Sequence, residues 1–207
     1  MRQEKVKAFW KWFSENAARL WHFEDDQIRL SNELQQELRH IHQPKGYSGR
    51  GPSLTFDMNQ KQGGIRELFI SADAIPSAFH LASELVAASP ALPGWRIKAL
   101  IPRQHLGTML LEWGFKAEDI WFRLRPEPER QHLTLFTRHR PPAYEENISE
   151  VRAFLIHVLG EECFATRIAS FDCLELPPDP ESWGLKPLRE LPDEVDRSST
   201  PVNVESA

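Results

Sequence analysis

Apolar residues recur at three- and four-residue intervals over the first 21 residues, which is the spacing of one face of a helix. This stripe consists of Val6, Phe9, Trp10, Phe13, Ala17, Leu20 and Trp21. A second, narrower stripe follows in residues 27–42 and consists of Leu30, Leu34, Leu38 and Ile41. We therefore predict an N-terminal helical pair over residues 1–43.

The pattern changes to strand, strand, helix, strand between residues 53 and 102. Leu54–Met58 and Glu67–Ser71 are short runs with strand character on either side of a Gly-containing turn, which is typical of a β-hairpin. Helical spacing then returns, with an apolar face made of Phe79, Ala82, Leu85 and Val86. The Pro93-Gly94 dipeptide predicts a turn before the next strand.

The segment from Trp95 to Ile101 predicts the strand around which the fold is organised. Trp95 shares one side with the other odd-numbered residues, whereas Arg96 and Lys98 take the opposite side. The segment ends with apolar residues on both sides, and Pro102 then removes a backbone donor. We expect an inner strand with one covered face, and we expect Trp95 to anchor the core.

The same order of elements returns between residues 118 and 176. Strands are predicted at 120–125 and 133–137, a helix over 144–159 that ends at Gly160, and a closing strand over 164–176. A short helix over 105–113 separates the two units. The hairpins are offset by about 66 residues, and right-handed crossovers would place each helix on a sheet face.

The predicted fold class is therefore α+β, with two strand-strand-helix-strand units that form either one continuous sheet or two half-sheets. We expect a single domain over 1–192, comprising the helical pair at 1–43, the first unit at 53–102 and the second at 118–176. Residues 177–207 are rich in proline and acidic residues and poor in apolar ones. From residue 193 we expect a disordered acidic tail.

Composition narrows the class of protein further. The chain has 207 residues, of which 41% are hydrophobic, so it can bury a substantial core without disulfides. Two cysteines suit a reducing compartment. The start of the chain lacks the pattern of a secretory signal, and no run approaches the roughly 18 apolar residues of a membrane span. We expect a cytoplasmic protein.

Charge is unevenly distributed along the chain, whose net charge is −5. Residues 1–95 carry eleven basic and eleven acidic side chains, and residues 96–140 carry nine basic and five acidic ones. Residues 141–207 carry five basic and fourteen acidic side chains. A basic middle beside an acidic end indicates either internal complementarity or a surface for a partner.

The sequence contains no motif that predicts catalysis, a cofactor or a metal. It has no phosphate-binding glycine loop, no nucleophile elbow and no C-x-x-C pair. His40 and His42 could chelate a metal only if the helix ended before them, and no other ligands lie near them in sequence. Cys163 follows two glutamates, which disfavour its thiolate. We expect no catalytic residue, no cofactor and no metal.

The candidate binding residues lie in the second predicted hairpin: Trp121, Arg123, Arg125 and Arg138. Trp121, Arg123 and Arg125 alternate with apolar residues and so share one side of a strand. Guanidinium groups beside an aromatic ring suit an acidic protein partner, the chain's own acidic tail or single-stranded nucleic acid. The alternative is an ordinary solvated face balanced by the nearby glutamates of the turn.

Three segments carry a resemblance to a known family: Ser71-Ala72-Asp73, Ala88-Ser89-Pro90-Ala91-Leu92-Pro93-Gly94-Trp95 and Leu159-Gly160-Glu161. Over about 54–176 the chain resembles a family of uncharacterised bacterial α+β proteins. The resemblance implies the fold but no catalytic residue. The order of elements is also similar to that of ferredoxin-like regulators, such as the protein inhibitors of the endoribonuclease that initiates RNA decay.

The function expected from these observations is that of a non-enzymatic module for protein interaction or regulation. One alternative is an enzyme or small-ligand-binding protein with a cleft beside the Trp95 strand. Another is a regulator that associates with RNA through the arginine-rich strands.

Overall fold

The computed structural model describes residues 3–41, 54–59, 61–105, 119–138 and 144–198. The protein is α+β, and its described residues form two separate sheets of three and four strands. It divides into two compact units, Met1–Ile101 and Pro102–Ala207. The prediction of one domain over 1–192 stays a prediction. The loop predicted over 43–53 and nearly all of the helix predicted over 105–113 lie outside the described residues.

Unit 1 begins with the predicted helical pair. Helix α1 spans Gln3–Leu20, a 3₁₀ turn spans Phe23–Asp26 and helix α2 spans Gln27–Ile41. The apolar stripes are the buried faces of both helices, which confirms the periodicity argument. On α1, Phe13 is completely buried, and Trp10 donates a hydrogen bond from its indole to the carbonyl oxygen of Leu85 at 2.9 Å.

The sheet of unit 1 has the strand order β1-β2-β3. Strand β1 spans Thr55–Met58, β2 spans Arg66–Ser71, helix α3 spans Phe79–Ala87 and β3 spans Trp95–Ala99. The first two strands form the predicted antiparallel hairpin, and the crossover through α3 brings β3 parallel to β2.

The inner strand of this sheet is β2, so the prediction that the Trp95 strand is internal is wrong. Strand β3 lies at the edge of the sheet as far as the described residues extend. Its faces alternate as expected, because Arg96 and Lys98 are exposed whereas Trp95 is half-buried against Phe13 and Trp21. The apolar end of the segment suggested a place inside the sheet, but β2 occupies that place.

A buried guanidinium marks the start of β2. Arg66 is fully buried and donates to both carboxylate oxygens of Glu24 at 2.6 Å. Burial acts to raise the pKa of Glu24, but the hydrogen bond from Arg66, a backbone hydrogen bond and the nearby positive charges together outweigh burial and lower that pKa. The pair ties the turn between the first two helices to the central strand of the sheet.

Unit 2 repeats the topology of unit 1 and adds a fourth strand. Its elements are β4 at Ile120–Pro126, β5 at Gln131–Thr137, α4 at Tyr144–Leu159, α5 at Glu161–Arg167, β6 at Ile168–Glu175, β7 at Lys186–Pro187 and α6 at Leu191–Arg197. Strands β4 and β5 are antiparallel, and β5 and β6 are parallel. The order across the sheet is β6-β5-β4-β7. The two strand-strand-helix-strand units are thus confirmed, as two sheets.

Two predicted boundaries in unit 2 need correction. The closing strand begins at Ile168, because Glu161–Arg167 forms the short helix α5. Gly160 ends α4 with a φ of 82°, and a Cβ there would lie 3.0 Å from the backbone nitrogen of Arg103. Both the backbone conformation and this close approach require glycine.

The predicted disordered tail begins in a helix. Helix α6 at Leu191–Arg197 includes the first five residues of that tail, and Leu191 and Val195 are completely buried. These two apolar residues lie four positions apart and so share one helix face. The acidic, proline-containing composition suggested disorder, but Pro192 is tolerated in a first helical turn. Residues 199–207 lie outside the described part of the chain.

Candidate functional site

The predicted binding residues lie on one face of the unit 2 sheet. The strand register places residues of β4, β5 and β6 side by side in three rows. From one end of the face to the other the rows are Arg125–His132–Ser170, Arg123–Thr134–Asp172 and Trp121–Phe136–Leu174. We call the six residues of the first two rows the polar face. The opposite side of the sheet carries the buried residues Phe122, Leu133, Leu135 and Cys173.

The connection between β6 and β7 borders the polar face. These strands lie at opposite edges of the sheet, so residues 176–185 must cross from one edge to the other. The crossing runs over the side that carries Arg123, because a guanidinium nitrogen of Arg123 donates to the carbonyl oxygen of Trp183 at 2.5 Å. The same guanidinium lies 5.7 Å from the centre of the Phe136 ring. Arg123 is therefore held in place, whereas Arg125 at the other end of the face is exposed.

His132, Ser170 and Asp172 form a hydrogen-bonded cluster on the polar face. Nδ1 of His132 lies 2.7 Å from the hydroxyl oxygen of Ser170, and its Nε2 lies 3.4 Å from Oδ2 of Asp172. The serine is exposed, and the aspartate side chain retains 41% of its accessible surface. The imidazole can accept the serine proton or, when protonated, offset the charge of Asp172.

Arg138 lies just past β5, beyond the Trp121 end of these rows and at the opposite end from Arg125. It follows the far end of β5, about 20 Å along the strand from His132 at roughly 3.3 Å per residue. Its Nε donates to a carboxylate oxygen of Asp119 at 2.8 Å. The structure thus brings Trp121, Arg123 and Arg125 to one face and pairs Arg138 at the opposite end.

The sequence reasoning missed Ser170 and Asp172. Both are polar residues at alternate positions of a strand whose other members are largely apolar, and this was an available signal. The sequence pattern could not predict that β6 lies beside β5, because this parallel pairing joins residues 38 apart in sequence. Ser170 and Asp172 contact His132 only because of this strand register.

Two acidic side chains of α6, Glu194 and Asp196, pair with basic residues outside the polar face. Arg103 makes two hydrogen bonds to the Asp196 carboxylate, at 3.0 and 3.1 Å, and Lys186 binds Glu194 at 2.8 Å. The hydrogen bond from Arg103 lowers the pKa of Asp196, and that from Lys186 lowers the pKa of Glu194. The described part of the predicted tail therefore does not occupy Arg123 or Arg125.

Cys163 lies close to this ion pair. Burial raises its pKa, although the neighbouring Arg103 acts in the opposite direction. A raised pKa leaves little thiolate at neutral pH, so the nucleophilic form is scarce. Cys163 and Cys173 are both free.

The Arg103–Asp196 pair predicts a pH-dependent contribution to the stability of unit 2. A carboxyl group whose folded pKa is depressed stabilises the folded state above its unfolded pKa of about 3.9, and this contribution is lost as the pH falls through the folded value. Because the pair is partly exposed, we expect about 1 kcal/mol or less. The melting temperature of Asp196→Asn should therefore lie a few degrees below that of the parent at pH 7, and the difference should shrink as the pH falls below about 3.9.

The matched control for this prediction is Asp193→Asn on the same helix, since the Asp193 side chain has no ion pair among the described residues. Thermal unfolding at several pH values measures both variants. An equal difference between parent and Asp196→Asn at every pH would contradict the ion-pair explanation.

A cleft of about 530 Å³ lies in unit 1 beside β3. It is lined by Ser89, Pro90, Ala91, Leu92, Pro93, Trp95, Arg96 and Ile97. Its volume falls within the roughly 300–1,000 Å³ typical of ligand sites, and its lining is mostly apolar. The cleft occupies the place expected for the small-ligand alternative.

Neither a metal centre nor a membrane crossing is visible in the described ranges. Among those residues, no three His, Cys, Asp or Glu side chains are grouped so that they could hold a metal ion. No helix in the same part of the chain combines the length and apolarity that a bilayer crossing demands. Of the two histidines considered as ligands, His40 lies in α2 beside Glu37, and His42 is outside the described residues.

A scan against protein-family models, a search of the curated proteins and a search of the solved structures each find no match to this chain. The resemblance to a bacterial α+β family therefore stays a prediction.

Proposed function

We propose that this protein is a non-enzymatic interaction module that docks an acidic segment of a partner protein on its polar face. The proposal rests on the exposure of Arg125 and on its position in the sheet. Its side chain is exposed and has no ion pair within the described residues, and it stands in one row with His132 and Ser170. A planar guanidinium suits a carboxylate because it donates two parallel hydrogen bonds.

The charge balance of the polar face supports an anionic partner. Asp172 is the one carboxylate among its six residues and lies beside His132, which can offset it when protonated. Arg123 and Arg125 then leave an excess of positive charge. The carbonyl of Trp183 fixes Arg123 in position, so its charge is preorganised.

An acidic peptide suits the site better than single-stranded RNA does. Bases bind to sheet faces by stacking on exposed aromatic rings. Here the Phe136 ring is 4% exposed and lies beneath Arg123, and Trp121 is half-buried.

The test uses a fluorescein-labelled peptide of eight glutamates and measures its fluorescence anisotropy with the full-length protein. We expect salt-sensitive binding that Arg125→Ala weakens about tenfold, because hydrogen bonds to charged groups contribute about 1.5–3 kcal/mol. The control is Arg189→Ala, which removes an exposed arginine elsewhere in unit 2 that has no ion pair among the described residues.

Equal weakening by both variants would show nonspecific charge attraction and would contradict the proposal, as would the absence of binding at low salt. A labelled single-stranded RNA of similar length is measured in parallel. Tighter binding of the RNA, with the same dependence on Arg125, would favour the nucleic-acid alternative instead.

A second candidate function, acyl transfer by Ser170, rests on the 2.7 Å contact between its hydroxyl oxygen and Nδ1 of His132. In such a reaction the serine oxygen would attack an acyl carbon, and the imidazole would take the serine proton and deliver it to the leaving group. A fluorophosphonate probe tests this directly. Labelling of Ser170 that His132→Ala abolishes would establish an activated serine, whereas the interaction module predicts no labelling.

The proposal also places the protein in the cytoplasm and compares its architecture with that of ferredoxin-like regulators. Both cysteines are free, which suits a reducing cytoplasm. The likeness to ferredoxin-like regulators rests on the order of the elements, which does not by itself give a function.

A further inference from the structure

The edge of unit 1 offers a second surface, because β3 is the last strand of its sheet among the described residues. Gly94 accepts a hydrogen bond from Arg66 at 2.8 Å, and Leu100 donates one to Ile70 at 2.9 Å, so the even-numbered residues face β2. The odd-numbered residues of β3 therefore direct their backbone groups away from the sheet. At Ile97 both the N–H and the C=O point outwards, and no described strand lies beside them.

The cleft lies beside this unpaired edge. The half-buried side chains of Trp95 and Ile97 line it from β3, and the segment Ser89–Pro93 forms the facing wall. An extended chain placed along β3 would hydrogen-bond to Ile97 and direct every second side chain towards this apolar lining.

The opposite side of β3 carries a surplus of positive charge. Arg96 and Lys98 both bind the same oxygen of Glu67, at 3.1 and 2.8 Å. The hydrogen bond from Lys98 is the main cause of the lowered pKa of Glu67, so that carboxylate is charged at neutral pH. Two cations thus share one anion, and both remain about half exposed. Acidic side chains on a neighbouring strand would meet this surplus.

We propose that β3 binds an extended peptide of a partner protein as an added strand, and that this peptide alternates apolar with acidic residues. The apolar residues enter the cleft beside Trp95 and Ile97. The acidic residues lie beside Arg96 and Lys98 on the other face. This site is separate from the polar face of unit 2 and requires an extended backbone, which the polar face does not.

The experiment selects octapeptides from a random phage-displayed library on the full-length protein and measures the affinity of the selected sequences. We expect alternating apolar and acidic residues. Two sets of methylated peptides are compared, in which alternate backbone nitrogens carry the methyl group. Methylation of the amides that face β3 should abolish binding, whereas methylation of the amides that face away should leave the affinity nearly unchanged. Arg125→Ala, which alters only the polar face, should bind these peptides as the parent does.

The matched protein variants are Ile97→Pro and Lys98→Pro. Proline at 97 removes an outward N–H and is tolerated at a sheet edge, so the fold should persist while affinity falls at least tenfold. Proline at 98 removes an N–H that faces β2 and should destabilise unit 1. If Ile97→Pro does not fold, the methylated peptides still decide the matter. The proposal would be overturned if the library gave no binding peptide, or if both sets of methylated peptides lost affinity equally. It would also be overturned if Arg125→Ala weakened binding of the selected peptides.

Discussion

Replacing Phe13 with alanine is expected to lower the free energy of unfolding by about 3–5 kcal/mol, the range for deleting a large buried aromatic ring. Phe13 is completely buried on α1, and its ring packs edge-on against Trp10 and Trp95 at centroid distances of 5.6 and 5.1 Å. The substitution removes the contact between the first helix and the edge strand together with the buried area. Urea unfolding followed by fluorescence measures the change.

The control is Ile28→Ala on α2, because Ile28 is 81% exposed and buries little surface. Exposed substitutions usually change stability by no more than about 0.5 kcal/mol. If Phe13→Ala unfolded at the same urea concentration as Ile28→Ala, the placement of α1 against the sheet of unit 1 would be wrong.

Ending the chain at residue 192 is expected to destabilise unit 2 markedly. The deletion removes Val195, which is completely buried, together with the partners of Arg103 and Lys186. Burial of a valine side chain alone contributes about 1.5–3 kcal/mol, and Leu191 would lose its helical neighbour as well. We expect a fall of several degrees in the melting temperature.

Val195→Asp in the full-length chain tests whether the loss of the buried valine, and not the shortening itself, lowers the stability. The variant keeps the chain length but places an unpaired charge in the buried position. Asp193→Ala on the exposed side of α6 is its control. If the shortened chain had the same melting temperature as the parent, the segment after residue 192 would not stabilise the fold, as the composition had suggested.

The elements of this fold that the sequence predicts are those with a strong local period. The apolar stripes of α1 and α2 repeat over several turns, and the hairpins are marked by turns between short strand-like runs. Such patterns depend on residues close together in the chain. The strand-strand-helix-strand order was therefore predicted correctly in both units, whereas the short helix α5 was not predicted.

The errors arose where tertiary pairing decides the outcome. The apolar end of β3 gave no sign that β2 would take the centre of the sheet. In α6, two apolar residues among acidic ones were too weak a signal against the composition, although tertiary burial of both makes the helix stable.

The candidate site shows the same limit. Alternation within β4 indicates that Trp121, Arg123 and Arg125 share a face, and the register agrees. The neighbours that complete the polar face come from β6, whose parallel pairing with β5 requires the whole α4–α5 crossover. No local pattern could place Ser170 beside His132.

¹H–¹⁵N NMR of the full-length protein with the octaglutamate peptide shows which residues the bound peptide contacts. If the peptide docks on the polar face, the largest shift changes fall on the backbone amides of Arg123, Arg125, His132 and Ser170, and these changes fade as salt is added. Changes spread over all exposed arginines, or concentrated along β3, would contradict docking on the polar face.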